Sequence, residues 1–429
     1  MDHEEPLVRR LTAVGIWMLA VNGMIGAGIF GVPAGAAALA GAWSPLVFVA
    51  CGLLLGAVIL CFAELAGHFR STGGPILYAR TAFGPFAGFQ TGWAFYIARV
   101  TAFAANINLL VASIGFFWPN AAQGIGRVVL LTIVVALLTW VNVVGIRQAV
   151  RAIGVLTVLK FLPLVLLVVI GLTALTPGAF GVGMTAPTAL GFGQAALLVV
   201  YAFVGWESAV VPAGETRDPA RDIPRGLLWA LGVVTVLYVL VQAVSMAVHP
   251  DLAGSTSGRA LIEVGAELLG PVGALILTIG VVVSVAGNSA SSMLTSPRMT
   301  YTLARDNTMP VWFARVHEDY KTPANSIIFF GALALVLALW GSFVWLAAMS
   351  ALVRVLIYMV CIGAMPRLRA RFGSESNYRV PGGWAIPVLA FAVCGLLLTQ
   401  VNVASVGLTV AFAALGAIQY WFVRSRRYV

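Results

Sequence analysis

Runs of about 20 apolar residues, interrupted by very few charges, recur along almost the whole of this chain. That length is what a helix needs to cross roughly 30 Å of hydrocarbon. Of the 429 residues, 61% are apolar by the AVILMFWYC count and only 9% are charged, where soluble domains carry about 25%. This is too little charge to coat a water-facing surface, so a soluble enzyme, a nucleic-acid binder and a disordered chain are excluded. The partner that the composition implies is the lipid bilayer. Cys51, Cys61, Cys361 and Cys394 all lie in apolar runs with no paired or metal-ligand spacing. They read as buried free thiols, and no metal or cofactor is expected.

Twelve segments can be marked, at about 12–40, 43–67, 84–113, 125–146, 150–175, 193–214, 226–248, 271–303, 324–340, 342–365, 384–402 and 404–423. The longest polar stretches, near 304–323 and 366–383, read as loops, which makes residues 1–429 one membrane domain. The first segment is not expected to be a cleaved signal: Asp2, Glu4 and Glu5 precede it, and it is long and broken by glycines. With the N-terminus placed in the cytoplasm, all but five of the 25 basic residues (Arg99, Arg127, Lys160, Arg259 and Arg354) fall on the cytoplasmic side. A wrong helix count would scramble that alternation. The net charge of +10 is thus an orientation signal, with both termini cytoplasmic.

Two of the twelve segments carry breaks. Segment 1 contains Gly23-Met24-Ile25-Gly26-Ala27-Gly28-Ile29-Phe30-Gly31, then Pro33. Each glycine weakens a helix by about 1 kcal/mol relative to Ala. Unwound backbone inside a bilayer is viable only where it faces protein or a water-filled cavity. The same residues fit GxGxxG, but the next carboxylate is Glu64 and no strand precedes, so a dinucleotide site is rejected. Segment 6 contains Tyr201-Ala202-Phe203-Val204-Gly205-Trp206-Glu207-Ser208, followed by Pro212 and Gly214. If helices 1–5 and 6–10 are inverted repeats, the two breaks correspond, which marks a midplane binding site. An unwound helix offers N–H groups at the start of its second half and carbonyls at the end of its first. Together these suit the two charged ends of an α-amino acid.

These residues resemble the amino acid–polyamine–organocation transporter superfamily along nearly the whole chain. Glu64-Leu65, Ser71-Thr72-Gly73-Gly74-Pro75, Tyr78 and Ala82-Phe83-Gly84-Pro85 resemble the family's helix 2–3 connection. Phe203-Val204-Gly205-Trp206-Glu207-Ser208, Glu215 and Asp218 through Arg225 resemble its helix 6 and the loop after it; Arg298, Tyr301 and Ala304-Arg305-Asp306 through Pro310 resemble the end of helix 8. The resemblance implies an all-α, polytopic fold of 12 transmembrane helices. It is a LeuT-type 5+5 inverted repeat (helices 1–5 about 12–175, helices 6–10 about 193–365) with broken helices 1 and 6 and two accessory helices at about 384–423.

Carried over, Ile25, Gly26, Ala27 and Gly28 are expected to hold a substrate carboxylate. Backbone at Ala202, Phe203 and Gly205 is expected at the amino group, with Tyr201 as an aromatic lid. Phe103 stands where some relatives place a polar, substrate-reading side chain. Lys160 takes the place that a sodium ion occupies in sodium-coupled relatives, its ammonium bridging helix 1 carbonyls near Gly23 and polar groups of helix 8, with Ser291 and Ser292 as candidates.

Lys160 is also singular on its own terms. It is one of two lysines, it lies in Val158-Leu159-Lys160-Phe161-Leu162-Pro163, and a central intramembrane lysine costs about 2.5–3.5 kcal/mol unless paired. It stands about 15 Å from its helix start, too far to snorkel. Glu207 follows the second break and is expected either to hydrogen-bond freed backbone or to titrate during gating. Arg99 and Arg354 need partners or water, with either one able to line the cytoplasmic pathway, and at most one of Asn106 and Asn108 is expected to face the cavity.

The function expected is secondary active transport of small neutral L-amino acids across the cytoplasmic membrane, coupled to protons by alternating access, as a monomer or homodimer. An amino acid or amine exchanger on the same fold is the alternative. A passive channel or scaffold requires neither paired breaks nor a midspan lysine. No nucleophile–base group in the spans suggests an enzyme.

Overall fold

The computed structural model describes residues 11–69, 73–145, 159–175, 186–373, 378–401 and 403–425. The start of segment 5 (150–158), Ser71-Thr72 and the basic residues Arg9, Arg10, Arg70, Arg147, Arg151, Arg426 and Arg427 lie outside the described residues. Within them the chain is helical. The sole β feature there is an isolated bridge between Leu11 and Thr216.

Fourteen α-helices follow in order: α1 (Ala13–Met24), α2 (Gly28–Ala40), α3 (Ser44–Gly67), α4 (Pro75–Phe83), α5 (Pro85–Ile114), α6 (Gly124–Val144), α7 (Phe161–Gly171), α8 (Ala189–Phe203), α9 (Pro219–Val248), α10 (Ala260–Arg305), α11 (Ala324–Trp340), α12 (Phe343–Phe372), α13 (Ala385–Leu398) and α14 (Val403–Ser425). Eight helical stretches are long and apolar enough to cross a membrane, and the shorter apolar helices Ala13–Met24, Phe161–Ala174, Ala324–Trp340 and Ala385–Leu398 fall within expected segments 1, 5, 9 and 11. Large apolar side chains such as Leu53, Ile125, Leu137, Trp140, Trp340, Leu396 and Ile418 stand exposed on the outer helices. In water such a surface is untenable, whereas against lipid chains it is neutral.

The departures from the sequence reading have local causes. Segment 6 ends its α-helix at Phe203 and continues only as 3-10 turns at Trp206–Ala209 and Ala213–Glu215. Gly205, at φ +112°, lies in a region that only glycine enters cheaply, and Pro212 withholds a donor. Segment 8 begins earlier than expected: α10 starts at Ala260 and is kinked at Gly270 (φ +62°), immediately before Pro271. The stretch 366–383 is not all loop, because α12 runs on to Phe372. Its extension is anchored by Arg369, which donates through Nε (2.6 Å) and Nη2 (2.8 Å) to both oxygens of Glu64 on α3.

Glu64 is 1% exposed and also accepts the Val380 N–H at 2.7 Å, while the Arg369 guanidinium lies 4.1 Å over the Trp384 ring. One carboxylate thus ties α3, α12 and the loop leading to α13. Removing one partner of a buried pair strands the other charge. Glu64→Gln is expected to destabilise the fold by about 3 kcal/mol, seen as an earlier thermal unfolding midpoint in detergent; an unchanged midpoint would show the latch to be dispensable.

Candidate functional site

Segment 1 is two helices joined by Ile25-Gly26-Ala27. In an unbroken helix the Asn22 carbonyl would accept from Gly26 N–H, but that N–H turns back to the Met24 carbonyl at 2.9 Å. The freed Asn22 carbonyl is taken by Lys160 Nζ at 2.8 Å, and the same ammonium reaches Asn22 Oδ1 at 2.7 Å. Nearby carbonyls are satisfied in the same manner. Ser284 Oγ donates to Gly26 O at 3.1 Å, and the Tyr238 hydroxyl sits 2.9 Å from Met24 O and 3.2 Å from Ala202 O. Beyond the break, Gly31 and Phe30 N–H both turn to the Ala27 carbonyl. The N–H groups of Ala27, Gly28 and Ile29 have no acceptor among the described residues, as expected for the first turn of a helix.

The second break lies against the first. A Cβ at Gly23 would stand 2.3 Å from the Gly205 carbonyl oxygen, and one at Gly205 would stand 2.3 Å from the Gly23 oxygen. A Cβ at Gly28 would meet Ala202 Cα at 2.5 Å. The backbones of the two interrupted segments are therefore in contact, with no side chain between them. The Gly205 N–H, freed by the turn, donates to Glu207 Oε2 at 2.7 Å. Glu207 also accepts from the Tyr358 hydroxyl and faces Arg354 Nε at 3.3 Å. Arg354 in turn donates to Ser350 Oγ and to the Ala98 carbonyl.

A cavity of about 460 Å³ opens along these breaks, within the range of small-molecule sites. Asn22, Gly23, Gly26, Ala27, Gly28, Gly205 and Glu207 line it from the broken segments, Arg99 and Asn106 from α5, Tyr201 from α8, Asn288, Ser291, Ser292 and Thr295 from α10, and Arg354 from α12. Leu11, Pro212 and Glu215 border one end. At the other, the Tyr201 hydroxyl donates to Asn106 Oδ1 (2.9 Å), Asn106 Nδ2 donates to Asn288 Oδ1 (3.0 Å), and the Tyr201 ring packs edge-on against Phe343.

Of the residues singled out in the sequence, Gly23, Gly26, Ala27, Gly28, Tyr201, Gly205, Glu207, Ser291 and Ser292 converge on this cavity. Ile25 is buried within the break without lining it. Ala202 and Phe203 lie behind the wall, Ala202 O beside the Tyr238 hydroxyl and the Phe203 ring against Phe48 and Tyr238. Phe103 also points away, packed on Phe330 of α11. Lys160 is 2% exposed and touches the cavity only through Asn22, one residue before Gly23. Ser291 and Ser292 are not its partners: the helix 8 hydroxyl on segment 1 is Ser284, two turns away. Asn106 faces the cavity, while Asn108 accepts Arg127 on another face.

Asn22, Tyr238, Ser284 and Asn288 went unread in the sequence. Asn288 stands at i, i+3, i+4 and i+7 spacing with Ser291, Ser292 and Thr295, a polar stripe in an apolar helix, and that stripe was the available signal.

Helices arranged this way around a shared pair of interruptions define a multi-pass membrane protein of the transporter class. The chain belongs to the amino acid permease family, whose model matches residues 11–423. It is 32% identical to an uncharacterized transporter of Mycobacterium tuberculosis, over 79% of this chain and 75% of that protein. It is 26% identical to the branched-chain amino acid permease BcaP of Bacillus subtilis, over 99% of this chain and 95% of that protein. It is also 26% identical to the serine/threonine exchanger SteT of Bacillus subtilis, over 95% of each.

A methyl group at the crossing has nowhere to go. Gly23→Ala and Gly205→Ala are each expected to cost about 3 kcal/mol by overpacking, read as a lowered unfolding midpoint. Gly232→Ala on α9, where a Cβ would meet nothing within 4 Å beyond its own helix backbone, serves as the control and is expected to leave the midpoint unchanged or slightly raised. Equal midpoints for all three would mean that the contact does not constrain the fold.

Proposed function

We propose that the protein imports small neutral L-amino acids across the cytoplasmic membrane, coupled to protons, by alternating access within a single membrane domain. The observation that carries this reading is the meeting of two interrupted helices at a cavity lined by Gly23, Gly26, Ala27, Gly28 and Gly205 beside polar side chains of α5, α10 and α12. The amide groups of Ala27 and Gly28, which line the cavity, have no acceptor among the described residues and suit a carboxylate at the positive end of α2. Gly205 and the last turn of α8 supply the facing wall, and Tyr201, hydrogen-bonded to Asn106, closes one end as a lid. The α-ammonium is proposed to lie near Gly205. The names of BcaP and SteT, an amino acid permease and an amino acid exchanger, agree with such a substrate.

A 12-span, LeuT-type 5+5 arrangement with both termini cytoplasmic is proposed on three observations. The first is the paired breaks. In both halves, moreover, a short helix follows the second long one: α4, and residues 260–269 of α10. In both, a positive-φ glycine and a proline, Gly84-Pro85 and Gly270-Pro271, then start the next. The third is the asymmetry of the basic residues.

Lys160 is proposed as the coupling residue. Its ammonium holds both oxygens of Asn22, so a change in its charge loosens the end of α1 beside the cavity, and Glu207 is proposed to restrain the second break. Uptake into proteoliposomes is expected to rise as the outside is acidified, and Lys160→Ala to abolish that pH response. An intact proton response in Lys160→Ala would remove Lys160 from the mechanism. Exchange is the second reading, favoured by the similarity to SteT; counterflow separates the two, because an exchanger needs internal substrate and a symporter fills empty vesicles. A thermal-shift screen of amino acids on the detergent-solubilised protein identifies the substrate, since a ligand at a hundredfold excess over Kd stabilises the folded state by about 2.7 kcal/mol and so raises the unfolding midpoint. A screen without any such shift would count against amino acid binding.

A further inference from the structure

The cavity wall holds an arginine that the zwitterion site does not use. Arg99 on α5 donates through Nη1 to Thr295 Oγ1 at 2.8 Å and lies 4.9 Å over the Phe95 ring, while its buried Nε has no acceptor. Among the described residues no carboxylate stands within ion-pair distance of it. Glu207, the buried carboxylate of the cavity, is engaged by Arg354, Tyr358 and the Gly205 N–H, and Glu215 borders the Leu11 end. A guanidinium inside a membrane protein without an anionic partner is costly and marks a ligand path.

The helix register fixes its position. α5 and α10 run antiparallel, joined at Asn106–Asn288 and again at Arg99–Thr295, two helical turns apart on each helix, about 10 Å at 1.5 Å per residue. Gly26 packs on the Asn288 side-chain amide and Gly31 on Leu109, so α5 runs in the same direction as α1 and α2. The Asn layer is therefore level with the first break, and the Arg99 layer lies about 10 Å closer to the Leu11 end.

We propose that Arg99, oriented by Thr295, is a second carboxylate station in the same cavity, which holds the carboxylate of an amino acid between the broken-helix site and the Leu11 end. The inference rests on the amino acid transport proposed above. A charge-assisted, two-donor guanidinium–carboxylate contact is strong, and a glutamine cannot replace it. The station serves one face of the membrane only, because the other end of the cavity ends at Asn106 and Tyr201.

The test is initial-rate uptake of radiolabelled L-leucine and L-serine in proteoliposomes of each orientation, with the wild type, Arg99→Gln and Thr295→Val. Arg99→Gln is expected to raise KM about tenfold when substrate is presented on the Leu11 side, with KM on the opposite side unchanged. Thr295→Val, which leaves the charge in place, is expected to give a smaller rise of about threefold on the same side and keeps the test open if Arg99→Gln does not fold. Saturable wild-type uptake with unchanged KM in both variants, or equal changes on both faces, would overturn the station while leaving amino acid transport standing. Wild-type vesicles that take up no amino acid would overturn the underlying function and the station with it.

Discussion

Two stretches of bare main chain pressed together inside the membrane are the constraint on which the rest of the structure depends. Gly23 and Gly205 meet carbonyl to Cα with no room for a methyl group on either. A helix that approaches another so closely must lose its side chains there, and here both helices also lose their hydrogen-bond ladders. The unpaired groups then dictate what surrounds them. Lys160, Tyr238 and Ser284 all point at carbonyls that a continuous helix would have satisfied itself. Glu207 does the same for an N–H. These four buried polar side chains are thus explained by the backbone they complete.

The same logic organises the charges. Arg354 and Glu207 are paired, Glu64 and Arg369 are paired, and Lys160 leans on two neutral oxygens. The first two pairs cross-connect helices distant in sequence, so they act as register marks between α12 and the helices it packs on. A neutral partner for Lys160 is different in kind: among the described residues its ammonium meets the dipoles of the two Asn22 oxygens and no carboxylate.

Much of the architecture was legible because the bilayer permits so few folds. The limits of α3, α5 and α11 follow from where apolar runs begin and end, and Ala324–Trp340 coincides with the expected segment. The breaks were legible from glycine clustering. Of their partners, a helix 1 carbonyl near Gly23 is expected from the sequence, and Lys160 takes that of Asn22; the choice of Ser284 over Ser291 depends on rotation and depth, which a sequence encodes only through packing. Phe103 shows the limit plainly: the cavity face of α5 runs through Phe95, Arg99, Ala102 and Asn106, and Phe103, one residue round from Ala102, faces α11 instead. Likewise, nothing local says that Arg369 belongs to Glu64, 305 positions away.

The two Gly-Pro corners add a quieter consequence. At Gly84-Pro85 and Gly270-Pro271 the left-handed residue bends the chain, and the imide that follows has no hydrogen to leave stranded. A bend of that type needs one fewer solvent molecule to cap it. Each corner is therefore suited to sit at the dry edge of the headgroup layer, where an ordinary turn would drag water inward.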